Sequence, residues 1–206
     1  RWQSRRTGGG CWREGAASCK PWLFMDRSSP LRARTIALVG LMGSGKSSVG
    51  RRLATALGLP FRDADVEVET AAGRSISDIF AELGEPAFRE GERRVIQRLL
   101  DDPPHVLATG GGAFMSPETR ALIKAKAISV WLKTDLEVLA RRVGSKGDRP
   151  LLVGKDPMEV LRSQAEARYP AYAEADVIVE TGDAAHQVTV DQIISALTAH
   201  LEKQAT

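Results

Sequence analysis

The sequence predicts an α/β fold in which a mostly parallel sheet is covered by helices on both faces. Three observations predict it. Short apolar, β-branched runs alternate with segments of helical period. The runs are spaced by whole helical segments, which are the crossovers that parallel pairing requires. A glycine-rich string closes the first run and opens the first helical segment. At 206 residues, 43% hydrophobic and 27% charged, the chain has enough apolar surface for one packed domain.

Taken in order, Thr35 to Val39 is an apolar strand ending at Gly40. From Lys46 the period becomes helical, with Val49, Leu53 and Leu57 on one face and Arg51 and Arg52 off it, and Gly58 and Pro60 stop the helix. A second strand ends near Phe61, leaving Asp63-Ala64-Asp65 as its extended tail. Ser75 with Asp78 makes a capping-box-like start for a helix carrying Ile76, Ile79, Phe80 and Leu83, and a longer helix is expected over residues 85–100. Residues 105–108 and 127–132 are further strands, the second holding Trp131. Helices start at Thr134 with Glu137 and at Asp156, where Pro157 takes the first helical position and Glu159 follows. Residues 177–179 form a last strand, and Val188, Ile193, Ile194, Leu197 and Leu201 share one face of a C-terminal helix. The chain has no internal repeat, and low complexity is confined to residues 8–10 and 110–112.

The net charge of +3 is carried by one end. Arg1, Arg5, Arg6, Arg13 and Lys20 against Glu14 give residues 1–24 a charge of +4, so the remainder carries −1. A near-neutral body has no footprint for a nucleic-acid backbone. The same end holds Cys11, Cys19 and three of four tryptophans, so from Met25 onward neither a disulfide framework nor a thiolate metal site can be built. A reduced, cytoplasmic setting is therefore expected. Residues 1–30 are expected to be an unstructured extension. They lack the apolar core of a secretory signal, and their Arg-rich, acid-poor composition is also that of an organellar transit peptide. Met25 could itself begin a complete protein. No apolar run reaches the roughly 18 residues of a membrane span.

Gly40-Leu41-Met42-Gly43-Ser44-Gly45-Lys46-Ser47 fits the phosphate-loop pattern G-x-x-x-x-G-K-[ST] without a mismatch. Backbone N–H groups can converge on a polyphosphate only where side chains stay away, as at Gly43 and Gly45. Lys46 supplies a point charge to the terminal phosphates and Ser47 a hydroxyl to Mg²⁺. The strand-loop-helix setting is the one the motif needs, and a nucleoside triphosphate is the expected ligand. The chain contains no asparagine, so a guanine-reading Asn-Lys-x-Asp string is absent and a GTPase is disfavoured. Asp63 and Asp65, two apart in an extended segment, would point the same way. One would then hold metal-bound water while the other faces an acceptor hydroxyl; helix N-capping by exposed acids is the plainer reading of the same pair.

Eight motifs follow in order: the loop from Gly40 to Ser48, Phe61-Arg62-Asp63-Ala64-Asp65, Gly73-Arg74-Ser75-Ile76, Gly84-Glu85 with Phe88-Arg89 and Glu92, Ala108-Thr109-Gly110-Gly111-Gly112, Val130-Trp131-Leu132, Arg149-Pro150-Leu151-Leu152, and Arg168 with Pro170 and Tyr172. This ordered set, spanning about residues 35–179, resembles the shikimate kinases. The resemblance implies a three-layer P-loop fold like that of nucleoside monophosphate kinases, with a five-stranded parallel sheet, substrate-binding helices after the second strand, and a lid. It implies transfer of the γ-phosphoryl of ATP to the 3-hydroxyl of shikimate, a step toward chorismate and the aromatic amino acids.

Carried over by position, Gly43, Ser44, Gly45, Lys46, Ser47 and Ser48 hold the ATP phosphates, and Asp63 with Ser47 holds Mg²⁺. Asp65 binds the ring hydroxyls and helps take the proton from the attacking oxygen. Arg89 and Arg168 meet the substrate carboxylate, and Gly110, Gly111 and Gly112 let backbone approach the ring. Read alone, Arg89 is one more solvated charge beside Glu90, Glu92, Arg93 and Arg94, and Arg168 is a surface residue. The glycine-rich, charged stretch 143–156 reads as a lid that brings Arg149 to the phosphates and excludes water. Arg142 matches a position against the adenine. His186 falls on the opposite flank, where relatives commonly carry proline, and either stacks on the base or lies on the surface. The expected partners are shikimate and ATP, with no nucleic acid and no membrane, and the expected state is a monomer.

Overall fold

The computed structural model describes residues 30–144 and 156–205. Almost all of the expected N-terminal extension, with Cys11 and Cys19, lies outside the described residues, as does the expected lid between residues 145 and 155, with Arg149.

Five strands form one sheet: β1 (Thr35–Val39), β2 (Phe61–Asp63), β3 (Val106–Ala108), β4 (Ala127–Thr134) and β5 (Val177–Thr181). All pairings are parallel, in the order β2-β3-β1-β4-β5. The helices are α1 (Lys46–Leu57), α2 (Ala64–Ala72), α3 (Ile76–Asp101), α4 (Pro117–Lys126), α5 (Leu136–Gly144), α6 (Pro157–Tyr172) and α7 (His186–Gln204). Every residue of β1 is buried, as a central strand with helices on both sides must be. Alternation then divides the core. Ile36 and Leu38 join Val106, Ile128 and Val130 under α1 and α7, where Leu53, Leu57, Ile193 and Leu197 are wholly buried. Ala37 and Val39 join Leu107 and Trp131 on the other face, beneath Ile96 and Leu99 of α3 and Leu161 and Tyr172 of α6. The expected five-stranded, three-layer arrangement is the observed one.

Most expected helix ends hold. Gly58 closes α1 at φ 65°, donating to Ala54 and Thr55. Ser75 caps α3 by accepting from Asp78 N at 3.1 Å, and Asp156 caps α6. Within α3, Gly84 takes φ 78° and ψ 171°, breaking the helix into the two segments the sequence expected to meet there.

Four expectations are corrected. The extended tail reaches only Asp63, the last residue of β2: the chain turns into α2 at Ala64, and the capping reading holds, with Asp63 accepting from Asp65 N at 3.2 Å. Both carboxylates still line one cleft, Asp63 as the cap and Asp65 in the first turn of α2. Asp135, not Thr134, begins α5, accepting from Glu137 N at 2.8 Å. Thr134 stays in β4 and hydrogen-bonds Thr181 across the sheet at 2.6 Å. Val188 faces solvent, since a helix starting at His186 brings Thr189, Val190 and Ile193 inward instead. Val143 and Gly144, counted into the lid, complete α5. One helix escaped notice, α4, although Ser116 before Pro117 is a standard start.

These connections bring residue groups from four of the five strands to the carboxyl edge of the sheet: the glycine loop after β1, Asp63 and Asp65 at the end of β2, residues 109–112 after β3, and His186 after β5. That edge is where open parallel sheets bind ligands.

Candidate active site

Gly40, Gly43 and Gly45 all adopt positive φ, at 144°, 80° and 87°. At two of them space is also short: a Cβ on Gly40 would sit 2.9 Å from Leu132 O, and one on Gly43 would sit 2.7 Å from Val143 Cγ2. No side chain caps the N-terminus of α1, so its first N–H groups are directed into the loop, where an anion can take them. Lys46 Nζ folds back over the loop, donating to Gly40 O and Leu41 O at 2.9 Å each. Ser44 lies beneath it, buried.

A cleft of about 500 Å³ opens above this loop. Gly43, Gly45, Lys46, Ser47 and Ser48 line its floor, Asp63, Asp65 and Gly111 one end, and Arg142 and His186 the other. Ser47 Oγ donates to Asp63 Oδ2 at 2.7 Å, joining α1 to the end of β2 over the intervening β3. A hydroxyl beside a carboxylate is a hard-oxygen pair that suits Mg²⁺, an ion commonly held by one or two protein oxygens and the substrate's phosphates. Among the described residues no group of three or more His, Cys, Asp or Glu side chains forms a metal cage, which accords with such a partial site.

Asp65 is open to the cleft yet crowded by protein. Burial raises its pKa above the usual carboxylate value, Asp63 and Glu69 add to this, and Lys46 and Arg89 oppose it. Across from it, a Cβ on Gly110 would lie 2.9 Å from Asp65 Oδ1 and 2.5 Å from Glu92 Oε1. Gly112 serves Arg89 in the same way, its Cβ position lying 2.5 Å from the guanidinium. Gly111 offers its carbonyl oxygen, which accepts from Arg168 Nη1 at 3.2 Å and from the Tyr172 hydroxyl. The three glycines are therefore the surface against which Asp65, Arg89 and Arg168 are packed.

Arg89 is not the solvated helix charge that its neighbours suggest. Its Nη1 donates to Glu92 Oε2 at 2.8 Å, and Glu92 is only 3% exposed. Burial pushes the Glu92 carboxyl up, against the pull of the Arg89 hydrogen bond. Glu92 Oε1 has no hydrogen-bond partner among the described residues. Glu92 was read from the sequence as part of a motif without a role; its period on α3, inward with Phe88, Val95 and Leu99, was the available signal.

At the other end Arg142 Nη2 donates to Gly182 O at 2.9 Å. His186 opens α7 on the facing wall; partial burial and the charges of Arg52 and Arg142 lower its pKa, favouring the neutral ring. The structure thus brings together all the expected site residues that it describes, in two clusters on either side of the glycine loop, while Arg149 lies outside the described residues.

Residues 42–198 match the family described as shikimate kinase. The shikimate kinase of Caulobacter vibrioides (strain NA1000 / CB15N) is 73% identical over 175 residues, 85% of this chain and 88% of the relative. That of Paramagnetospirillum magneticum (strain ATCC 700264 / AMB-1) is 58% identical over 84% and 89%. Among solved structures, a shikimate kinase from Acinetobacter baumannii in complex with shikimate superposes with a TM-score of 0.77 at 38% identity, covering 81% of this chain and 93% of that one.

Proposed function

The chain belongs to the shikimate kinase family and is an ATP-dependent shikimate kinase, and from that premise we propose how its residues divide the reaction. The observation that carries the proposal is the convergence of the Ser47–Asp63 pair, Asp65 and Arg89 on the carboxyl edge beside an uncapped α1.

The backbone of residues 43–48 and the start of α1 bind the ATP phosphates, and Lys46 leaves its loop carbonyls for the γ-phosphoryl oxygens. Arg142 and His186 flank the base. Ser47 and Asp63 would hold Mg²⁺, which when bound would supply positive charge to the phosphates. Arg89 and Arg168 fix the shikimate carboxylate, and Asp65 accepts hydrogen bonds from the ring hydroxyls. The 3-hydroxyl oxygen forms a new bond to the γ-phosphorus as the bridging bond to the β-phosphate breaks. The hydroxyl proton goes to Asp65, and ADP leaves with the bond's electron pair. The product is shikimate 3-phosphate, on the route to chorismate and the aromatic amino acids. Arg149 adds charge at the phosphates from the lid. We take the enzyme to work as a cytoplasmic monomer. No helix among the described residues is long and apolar enough to cross a membrane. Residues 31–206 constitute the kinase domain, and residues 1–30 take no part in catalysis.

The direct test is ADP release with Mg²⁺ and ATP, comparing shikimate with gluconate, AMP and no acceptor. Release that needs shikimate and stops with EDTA is expected; release with another acceptor instead would overturn the residue assignments on the acceptor side. Arg89→Ala should raise the KM for shikimate by about 10- to 100-fold, the worth of a lost hydrogen bond to a charged group. An unchanged KM would move the carboxylate elsewhere.

A further inference from the structure

Arg89, the guanidinium assigned to the substrate's carboxylate, is bracketed by two acids of its own helix. Glu92 holds Nη1 from below. The other edge of the fork, Nε and Nη2, donates to a single oxygen of Glu85, at 3.2 and 3.1 Å. The two acids differ in kind. Glu92 is 3% exposed and cannot leave without uncovering a buried charge, whereas Glu85 is 62% exposed and follows Gly84, where the α3 helix breaks.

We infer that Glu85 stands in for the substrate's carboxylate on Arg89, and that shikimate binds by displacing it. The inference rests on Arg89 being the carboxylate's partner. An incoming carboxylate presents two oxygens to Nε–H and Nη2–H and makes two parallel bonds of about 2.7–2.9 Å, the favoured geometry for this fork. Glu85 offers one oxygen shared between two longer contacts, so the exchange improves the geometry around Arg89 while Glu85 passes into water. Glu92 keeps the guanidinium in place throughout. The arrangement also selects ligand charge, because a neutral cyclitol has nothing with which to replace Glu85.

A role for Glu85 in holding Arg89 ready would make the opposite prediction, so the sign of one measurement decides between them. Shikimate binding is titrated calorimetrically to the wild type, Glu85→Gln, Arg89→Ala and, as a charge control, Glu82→Gln, whose carboxylate pairs with Arg74 on the exposed first segment of α3. The dissociation constant should fall by about two- to fivefold in Glu85→Gln, the range of an exposed ion pair. It should be unchanged in Glu82→Gln. For the neutral carboxamide of shikimate, Glu85→Gln should make no difference. Weaker or unchanged shikimate binding in Glu85→Gln overturns the inference, as does equal tightening in Glu82→Gln or for the carboxamide, since either would reflect general charge. Unchanged binding in Arg89→Ala would instead remove the assignment on which the inference stands.

Discussion

Asp65→Ala lowers turnover by about 10²- to 10⁴-fold, the range of a positioned general base, while leaving ATP affinity close to normal. The separation follows from where Asp65 sits. It belongs to the first turn of α2, beyond the Ser47–Asp63 pair, and its contacts are on the acceptor side, against Gly110. In the proposed assignment the phosphates fall to other groups, the loop N–H donors and Lys46, so loss of the carboxylate should leave their binding intact. Burial, with Asp63 and Glu69, has already raised the proton affinity of Asp65, bringing it nearer that of a working base. Steady-state kinetics with shikimate, together with titration of a non-hydrolysable ATP analogue, checks both parts. Near-normal turnover would take Asp65 out of the reaction.

Gly110→Ala lowers kcat/KM for shikimate by about 10²-fold, with an intact fold and normal nucleotide binding. The added methyl would lie 2.5 Å from Glu92 Oε1 and 2.9 Å from Asp65 Oδ1. Glu92 has no room to retreat, being buried and tied to Arg89. Either Asp65 or the Arg89–Glu92 pair must shift, and displacements near 1 Å at a reacting centre cost about this much. Gly111→Ala is the internal comparison, because the tightest contact of its methyl is the movable end of Arg168, at 3.3 Å, and the loop backbone at Gly40 O and Met42 N lies at an ordinary 3.6 Å. Its loss should be much the smaller. Circular dichroism and an ATP-analogue titration separate a local effect from unfolding; equal activity of the two variants would contradict the crowding argument.

Much of this site was legible in the sequence because its chemistry is local. The glycine loop is a contiguous string whose backbone does the binding, so its pattern and its strand-loop-helix setting are sufficient. The same holds for Gly58, Ser75 and Asp156, which act on neighbours within a turn. What was misread depended on where the chain changes period. Asp63-Ala64-Asp65 supports two readings in sequence, an extended pair or a helix cap, and nothing in the tripeptide says that Ala64 opens a helix; Asp63 ends β2 and is the cap, while Asp65 falls in the first turn of α2. On α7 the expected inward residues Ile193, Ile194, Leu197 and Leu201 do pack on the core, and only Val188, in the first turn, faces solvent. Arg89 and Glu92 were ambiguous for a different reason: on a helix rich in Glu and Arg, only packing against the glycines after β3 distinguishes a buried pair from a solvated one, and that contact is between segments distant in sequence.

The strand order has a further consequence. β1 lies between β3 and β4, so its loop divides the carboxyl edge: Asp65, Arg89 and residues 110–112 stand toward β2 and β3, and Arg142 and His186 stand toward β4 and β5. Arg168 and Tyr172 of α6 cross between the two sides, both donating to Gly111 O. The acceptor side is thus an exchangeable module. On the proposed assignment, its carboxylates, arginines and small residues could be rewritten to fit a different alcohol while the phosphate donor's seat is left alone, with Arg168 and Tyr172 to be renegotiated where the two halves meet.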